Sequence, residues 1–503
     1  MQRSKRVSEG VYVKQRNYAQ SVALAAGLVL AACGGTAAPT SQPASSPAAP
    51  ASAKPSQAPG SAAASSAPAA AISSGAAASA KPSQVPGSGA PASSAPASAA
   101  ASGSTAGPIK IGIAETLTGP VAENGKDNQD GFNLFLDSIN STVAGRQIQP
   151  LFIDDQGKAD VGLTKTTQLV ESDKVQVLMG LLQTPVCYAV AQYAKQMQIP
   201  TIISGQCGAE YLFNDPKYAS PYLIRVTQNA SMLVDPAADW SYKQGFRKAI
   251  LLTDDYGGGL EAGDAFASAF INRGGSVIQE LHPALGTNDF GPIVAQFDPS
   301  ADVVATMLIG TDGVRFGEAF ASYSGAKKPK VVEFSGITFG THLAQLKDKA
   351  VGMIGEANYT EAIDTPTNQA FLKAFHAKYP GRPLSADVAH GYAGAQVLVD
   401  ALKRVNGNIE QKQQFLDALY ASNVDTAKGP IKLEADHDVI ANDYVYEVTK
   451  QGDAYPPKLL ETYQGVSKLW DRTPQELAKL MLGTNKGKWV GMTKDQLDKI
   501  ING

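Results

Sequence analysis

Residues 175–203 read VQVLMGLLQTPVCYAVAQYAKQMQIPTII, and this stretch contains one complete β-α-β unit. The apolar run Val175–Met179 is typical of a buried strand, and a short loop leads from it to a predicted helix over Pro185–Met197. Thr201–Ile203 is predicted to be the next strand. Because strands separated by a helix at this spacing pair in parallel, the stretch predicts a parallel sheet with helices on its faces.

The same alternation of strands and helices continues outward in both directions. Before the quoted unit we predict strands at Lys110–Ala114 and Ile148–Ile153, with helices around Phe132–Ile139 and Gly162–Ser172. After it, a second set comprises strands at Lys248–Leu252, Ser276–Glu280, Val303–Leu308 and Lys330–Phe334, and helices at Gly259–Arg273, Phe290–Phe297 and Gly313–Ser324. The chain is therefore predicted to be an α/β protein with two doubly wound parallel-sheet lobes.

In open parallel sheets, ligands bind beyond the carboxyl ends of the strands, so the loops after the strands carry the candidate site. Thr184 followed by Pro185 is typical of an N-cap and a first helical position. The backbone amides of Val186 and Cys187 would then be free at the positive end of the helix dipole, an arrangement that suits a carboxylate. The alternative is that Thr184 only caps its own helix.

A series of short motifs follows a fixed order along the chain. They are Ile111-Gly112-Ile113, Leu117-Thr118-Gly119-Pro120, Gly131, Asp154-Asp155, Gly180, Ile199-Pro200, Ile203-Ser204-Gly205, Asp254-Asp255-Tyr256-Gly257, Gly274-Gly275, Asp289-Phe290, Tyr392 and Gly429-Pro430-Ile431. Each motif is weak alone, but over residues 109–465 their order and spacing resemble the type I periplasmic binding proteins of the leucine/isoleucine/valine-binding family.

The resemblance implies two lobes joined by a hinge of three segments, which close over a ligand in the cleft between them. The first lobe would comprise residues 108–228 and 357–442, and the second residues 229–356 and 443–465. Residues 466–503 would form a C-terminal helical extension. The implied function is to capture a small carboxylate-bearing ligand, an amino acid or an aromatic or aliphatic acid, for an ABC permease with nucleotide-binding subunits.

Carried over residue by residue, the resemblance also implies a ligand site. In the first lobe it comprises Thr184, the loop residues Ser204, Gly205, Cys207 and Ala209, and Asn124 as a wall of the cleft. In the second lobe, Tyr256 would close over the ligand; the alternative is an ordinary core or surface aromatic residue.

Thr287 takes the position at which the amino-acid-binding members keep an acid for the ligand's ammonium group. A threonine hydroxyl cannot neutralise a buried ammonium group. Unless Glu115, Asp254, Asp255 or Glu333 supplies the charge, the ligand is expected to lack an amino group.

The N-terminal part of the chain indicates export. Basic residues precede an apolar run that is too short to span a membrane, and this run ends in Leu30-Ala31-Ala32-Cys33. The order resembles the bacterial lipobox, so residues 1–32 are predicted to be a signal peptide and Cys33 a lipidated cysteine. Residues 33–107, composed largely of Ala, Ser, Pro and Gly, are predicted to be a disordered tether. The protein is thus expected on the outer face of the cytoplasmic membrane.

Cys187 and Cys207 are the two cysteines that remain after Cys33, and the predicted compartment is oxidising. Cys187 lies in the first turn of one helix, and Cys207 lies in the loop after the next strand. We predict a disulfide between them at the mouth of the cleft, with two buried thiols as the open alternative.

Other classes of function find little support. The glycines at 257–259, with Glu280 beyond them, fit a dinucleotide fingerprint only loosely, and the five histidines lack metal-ligand spacing. The net charge of −3 argues against nucleic-acid binding. We therefore expect a monomeric binding protein that is not an enzyme and has no cofactor or metal. A sensor or assembly lipoprotein on the same fold remains the alternative function.

Overall fold

The computed structural model of the protein describes residues 107–334, 336–470 and 472–503. The predicted signal peptide, the lipidated Cys33 and the tether up to residue 106 lie outside the described residues. Within the ranges that are described, no helix is both long enough and apolar enough to cross a membrane.

The first sheet has six strands in the order β2-β3-β1-β4-β5-β6. All neighbours pair in parallel except β2 and β3. Its strands are β1 (Ile109–Glu115), β2 (Thr142–Val143), β3 (Arg146–Asp154), β4 (Val177–Gly180), β5 (Thr201–Ile203) and β6 (Leu223–Arg225). The helices between them are α1 (Ala122–Ser138), α2 (Ala159–Glu171) and α3 (Thr184–Met197).

The second sheet has nine strands, with the order β12-β13-β14-β11-β10-β9-β7-β8 and with β15 paired to β14. Its strands are β7 (Lys248–Thr253), β8 (Ser276–Leu281), β9 (Val303–Met307), β10 (Lys330–Glu333), β11 (Ile354–Ala357), β12 (Asn423–Thr426), β13 (Gly429–Leu433), β14 (Val439–Val448) and β15 (Pro457–Val466). The remaining α-helices of the described residues, which are divided between the two lobes, are α4 (Ala230–Lys243), α5 (Gly257–Asn272), α6 (Gly291–Val294), α7 (Thr311–Ala321), α8 (Gly340–Leu346), α9 (Pro366–Lys378), α10 (Ala386–Arg404), α11 (Lys412–Tyr420), α12 (Pro474–Leu480) and α13 (Lys494–Asn502).

These two sheets with their helices form two α/β lobes, and they confirm the predicted fold class. One predicted helix is much shorter than expected, because Phe290–Phe297 contains only the single turn of α6. The side chains of Phe290 and Phe297 are buried in the core of the second lobe, where they contact Phe316. Tertiary packing rather than helical periodicity explains the apolar pattern there.

The chain passes between the lobes three times. After β6 it enters α4, which packs on α5, β11 and β14 of the second lobe. After β11 it returns to α9 and α10, which pack on α1 of the first lobe. The third passage lies within β14, which pairs with β13 at one end and with β11 at the other. The lobe boundaries predicted near residues 228, 356 and 442 remain predictions, and β14 continues through the last of them without a break.

The C-terminal extension is fixed to the second lobe. Both of its helices begin with a capping box, formed by Thr473 with Glu476 and by Thr493 with Gln496. Between the helices, Trp489 Nε1 donates a hydrogen bond to Asp264 of α5, and the amides of Trp489 and Val490 donate to Glu280 of β8. The amide of Gly491 also donates to the carbonyl oxygen of Val277 at 3.0 Å, so the extension pairs with the backbone of β8, an edge strand of the second sheet.

Candidate ligand cleft

The loops that follow the strands of one lobe touch those of the other. Pro120 follows β1 and Gly310 follows β9, and a Cβ atom placed on Gly310 would lie 2.2 Å from the carbonyl oxygen of Pro120. Gly310 also has a φ of 59°, which favours glycine. A Cβ atom on Gly258, in the first turn of α5, would lie 2.8 Å from Thr184 Oγ1. The two lobes are thus closed against each other, and glycines permit the close approach.

Thr184 lies at this contact between lobes but does not cap α3. It is the first residue of the helix, and Gln183 is the N-cap in extended backbone, with no side-chain hydrogen bond to the helix. The amide of Cys187 donates to the carbonyl oxygen of Gln183 at 3.0 Å, so it is not free as the sequence suggested. The N-cap interpretation of Thr184 was wrong because Pro185 is also tolerated at the second helical position. Thr184 is nevertheless 97% buried, and its side chain contacts the second lobe.

The loop of the four other predicted first-lobe residues is buried and tightly held. The amide of Gly180 donates to Ser204 Oγ at 3.2 Å, and the amide of Gly205 donates to the carbonyl oxygen of Gly180 at 2.8 Å. Arg225 lies at the end of β6, and its Nη1 donates to the carbonyl oxygens of residues 207, 208 and 209 at 3.1–3.3 Å. These hydrogen bonds hold the loop against β4 and β6 and make it a wall of the cleft.

Cys187 and Cys207 are joined by a disulfide in the structure, and their Cα atoms are 6.6 Å apart, within the usual range. Both residues are fully buried in a hydrophobic cluster of the first lobe with Val186, Val190 and Leu212. Gly208, next to Cys207, lies at the contact between the lobes, since a Cβ atom on it would lie 3.3 Å from Thr184 Oγ1 and 3.7 Å from Gly258 Cα. The position of the bridge at the mouth of the cleft stays a prediction. The bridge connects the start of α3 to the loop of residues 204–209.

We expect unreduced, denatured protein carrying Cys33→Ser to contain no free thiol. A bridge between residues 20 apart should stabilise the fold by about 3 kcal/mol through the unfolded chain. Counting thiols with a chromogenic reagent before and after reduction checks this. Two thiols before reduction would mean that the sulfur atoms are not bonded in the isolated protein.

Polar groups also connect the lobes beside Thr184. Glu261 of α5 accepts hydrogen bonds from the hydroxyl of Tyr188 at 2.8 Å and from the amide of Glu210 at 3.2 Å. Burial and the nearby charge of Glu210 raise the pKa of Glu261 to about 8. Sequence reasoning missed this contact, because nothing in the local pattern of α5 reveals partners on the other lobe.

The second-lobe residues occupy different environments. Tyr256 is the N-cap residue of α5, and a Cβ atom on Gly258 would lie 2.9 Å from its hydroxyl, so its ring lies at the contact between lobes. The hydroxyl of Thr287 instead donates to the carbonyl oxygen of Ala284 within its own turn. The carbonyl oxygen of Thr287 accepts a hydrogen bond from Arg315. The structure therefore places Tyr256, but not the side chain of Thr287, among the groups that join the lobes.

Asn124 lines a small cavity where the two lobes meet. Six of the residues around this cavity are Asn124, Asp127, Gln206, Phe339, Ser385 and Asp387. Asn124 Nδ2 donates to Asp387 at 2.7 Å, while Asn124 Oδ1 and the second Asp387 oxygen are buried without a partner. Asp387 had not been predicted, because its partner lies on a helix 263 residues earlier in the chain.

The four acids named with Thr287 in the sequence have different partners in the structure. Asp255 pairs with Lys486 at 2.7 Å, and Glu333 accepts hydrogen bonds from the backbone of its own loop. Asp254 accepts from the amide of Ile309, and burial together with Asp312 raises its pKa to about 8.

Glu115 differs from the other three acids, because neither of its carboxylate oxygens has a hydrogen-bond partner. Burial, together with the charges of Asp155 and Asp387, raises the pKa of Glu115 well above its usual value. An ammonium group bound beside Glu115 would lower this pKa again and favour the carboxylate.

The acidic pair after β3 organises the first-lobe loops. Asp154 accepts hydrogen bonds from the amide of Leu117 and the hydroxyl of Thr118, and Asp155 accepts from the hydroxyl of Thr116. These contacts hold the loop after β1 in place, which supports a structural role for the pair.

Two α/β lobes that meet at the carboxyl ends of their strands define a two-lobed binding protein. The chain belongs to the periplasmic binding protein family, whose model matches residues 108–453. This finding confirms the resemblance drawn from the sequence motifs. Members of the family are transport-related binding proteins and not enzymes.

Similar proteins extend over nearly the same region. Leu/Ile/Val-binding protein homolog 6 of Brucella melitensis is 26% identical over 375 residues, which cover 73% of this chain and 94% of that protein. An ABC transporter substrate-binding protein from Sphaerobacter thermophilus is 29% identical, with a TM-score of 0.68 over 72% of this chain and 99% of the other. A solute-binding protein of an ABC transporter from Rhodopseudomonas palustris BisB5, in complex with 3,4-dihydroxybenzoic acid, is 25% identical, with a TM-score of 0.66 over 72% and 98%.

Proposed function

We propose that the protein captures a small carboxylate-bearing solute between its lobes and delivers it to an ABC importer. In this proposal it is exported and held at the outer face of the cytoplasmic membrane by a lipid on Cys33. The observation that carries the proposal is the closed contact between the loops of the two lobes, at Gly310 with Pro120 and at Gly258 with Thr184. A solute bound between the lobes would be enclosed by the loops after β1 and β9 and by the first turns of α3 and α5.

The environment of Thr287 favours a solute without an amino group. The hydroxyl of Thr287 donates within its own turn and cannot neutralise an ammonium group, while Asp255 and Glu333 already have partners. An aromatic or aliphatic carboxylate is consistent with the neighbour that holds 3,4-dihydroxybenzoic acid, whereas the curated relatives carry the name Leu/Ile/Val-binding protein. We therefore place carboxylates such as hydroxybenzoates ahead of leucine.

Replacing Thr184 with Val should weaken solute binding by roughly tenfold or more, because a hydrogen bond to a charged group is worth about 1.5–3 kcal/mol. Titration calorimetry of both proteins with the tightest-binding carboxylate measures the change. Thr166→Val is the matched control, since Thr166 is a buried threonine of α2 in the same lobe. Equal affinity of the Thr184 and Thr166 variants would remove Thr184 from the site.

Replacing Cys33 with Ser should release the protein from membranes, because the acylated sulfur is the sole anchor proposed. Fractionation of cells into membrane and soluble parts, followed by detection of the chain, measures this release. Retention of the serine variant in the membrane fraction would contradict lipid anchoring.

Uptake by whole cells tests the transport step. Cells that produce the protein should accumulate radiolabelled 4-hydroxybenzoate or 3,4-dihydroxybenzoate faster than cells that lack it, and leucine uptake serves as the comparison. Solute binding without any change in uptake would favour a sensor or assembly role on the same fold.

A further inference from the structure

The side chain of Gln228 connects all three passages between the lobes. Gln228 itself lies on the first passage, between β6 and α4. Its Nε2 donates a hydrogen bond to Asp443, which lies within β14 on the third passage. Its Oε1 accepts a hydrogen bond from the backbone amide of Asn358, which follows β11 on the second passage, at 3.2 Å.

Further buried polar side chains lie between the hinge and the wall of the cleft. Oδ1 of Asn358 lies 2.7 Å from His390 Nε2 on α10, and His390 Nδ1 lies 3.5 Å from Asp387. Asp387 in turn accepts the hydrogen bond from Asn124 on α1. The hydrogen bonds that start at Gln228 therefore reach His390, and a 3.5 Å separation without a hydrogen bond lies between His390 and the bonded pair of Asn124 and Asp387 at the cavity.

Burial makes the hydrogen bonds of Gln228 difficult to replace. Gln228 is 1% exposed, and Asn358, His390 and Asp443 are fully buried. A buried donor or acceptor that loses its partner keeps the full cost of desolvation, because water cannot take the partner's place. The planar amide holds its donor and acceptor in fixed positions, so both bonds form together only when the three passages keep this arrangement.

We infer that Gln228 is a positioning residue for lobe closure, whose two hydrogen bonds stabilise the closed arrangement of the three passages. The inference rests on the proposed function, in which closure captures the solute. Because these bonds belong to the protein itself, they favour the closed arrangement with or without solute. Replacing Gln228 by Met, which has a similar length and no hydrogen-bonding amide, should lower the ratio of closed to open molecules roughly tenfold or more.

Pulsed electron resonance on the full chain in detergent micelles, without added solute, measures this ratio. Spin labels on noncanonical amino acids at Lys158 and Asp289 report the separation of the lobes, because both residues are exposed and follow the carboxyl ends of β3 and β8. The unsubstituted protein should show a short-distance population that Gln228→Met largely loses. Thr201→Val, which removes a buried and hydrogen-bonded hydroxyl at the start of β5 and away from the three passages, should keep it.

If circular dichroism shows that Gln228→Met does not fold, a second pair of variants tests whether the hydrogen bond between Gln228 and Asp443 stabilises the closed arrangement. Asp443→Asn keeps an acceptor for Gln228 and should preserve the short-distance population, whereas Asp443→Leu should lose it. The inference is overturned if the unsubstituted protein has no short-distance population, or if the variants that break the bond match their controls. The electron-resonance measurement needs no solute. A failure of the cells to take up a carboxylate would therefore contradict the proposed function without changing the measured ratio of closed to open molecules.

Discussion

Arg225→Met should destabilise the protein by about 3–5 kcal/mol, because it leaves Asp438 as a buried charge without its main partner. The guanidinium and the carboxylate are both fully buried and form two hydrogen bonds of 2.8 Å. Although burial alone would raise it, the charge of Arg225 lowers the pKa of Asp438 below its usual value. The same guanidinium holds the carbonyl oxygens of the loop at residues 207–209, so the wall of the cleft should loosen as well.

Urea denaturation followed by far-ultraviolet circular dichroism measures this loss. The double variant Arg225→Met with Asp438→Leu is the control, and it should recover part of the stability because no buried charge remains from the pair. Lys468 Nζ, 3.7 Å from Asp438, is the nearest substitute partner. A loss below about 1 kcal/mol for the single variant would show that Lys468 replaces Arg225, since that is the range of exposed ion pairs.

Gly310→Ala should lower solute affinity by roughly a hundredfold. The new methyl group would lie 2.2 Å from the carbonyl oxygen of Pro120, and closure would require the two loops to separate. Overpacking of a tight contact typically costs about 1–3 kcal/mol, and a backbone oxygen cannot rotate away, so we expect the upper end of that range. Calorimetric titration with the tightest-binding carboxylate provides the measurement.

Gly286→Ala is the control variant, because it adds backbone strain, as Gly310→Ala does, but no collision between the lobes. Gly286 lies in the loop after β8 of the same lobe and has a φ of 89°, but a Cβ atom there would meet nothing within 4 Å. Both variants therefore carry a positive φ, and only the change at Gly310 obstructs the other lobe. Equal affinities of the two variants would mean that the contact at Pro120 is not required for binding.

The alternation of strands and helices could be predicted because it depends on local patterns. The apolar strand at Val175–Met179 and the helix ending at Met197 follow from hydrophobic runs and from Pro185 near the helix start. The first residue of a helix is harder to predict. Pro185 is compatible with a helix that begins at either Thr184 or Pro185, so the N-cap could be Gln183 or Thr184, and in the structure it is Gln183.

The side-chain partners could not be predicted, because they lie far apart in sequence. Arg225 at the end of an apolar strand indicates a buried acid, yet Asp438 lies 213 residues later. Gln228 and Asp443 are similarly separated, by 215 residues. A position relative to a motif can also mislead. Thr287 was predicted to lie in the ligand site because it lies two residues before Asp289-Phe290, but its hydroxyl donates to the carbonyl oxygen of Ala284 in its own turn.

A thermal-shift screen of amino acids and of aromatic and aliphatic carboxylates tests the capture of a solute most directly. At a hundred times its Kd, a bound solute should stabilise the fold by about 2.7 kcal/mol and raise the melting temperature accordingly. We predict that at least one carboxylate produces this shift in the unsubstituted protein and that the same concentration produces little shift in the Gly310→Ala variant. If no compound of the panel raises the melting temperature, or if the Gly310 variant responds equally, capture of a carboxylate by lobe closure is contradicted.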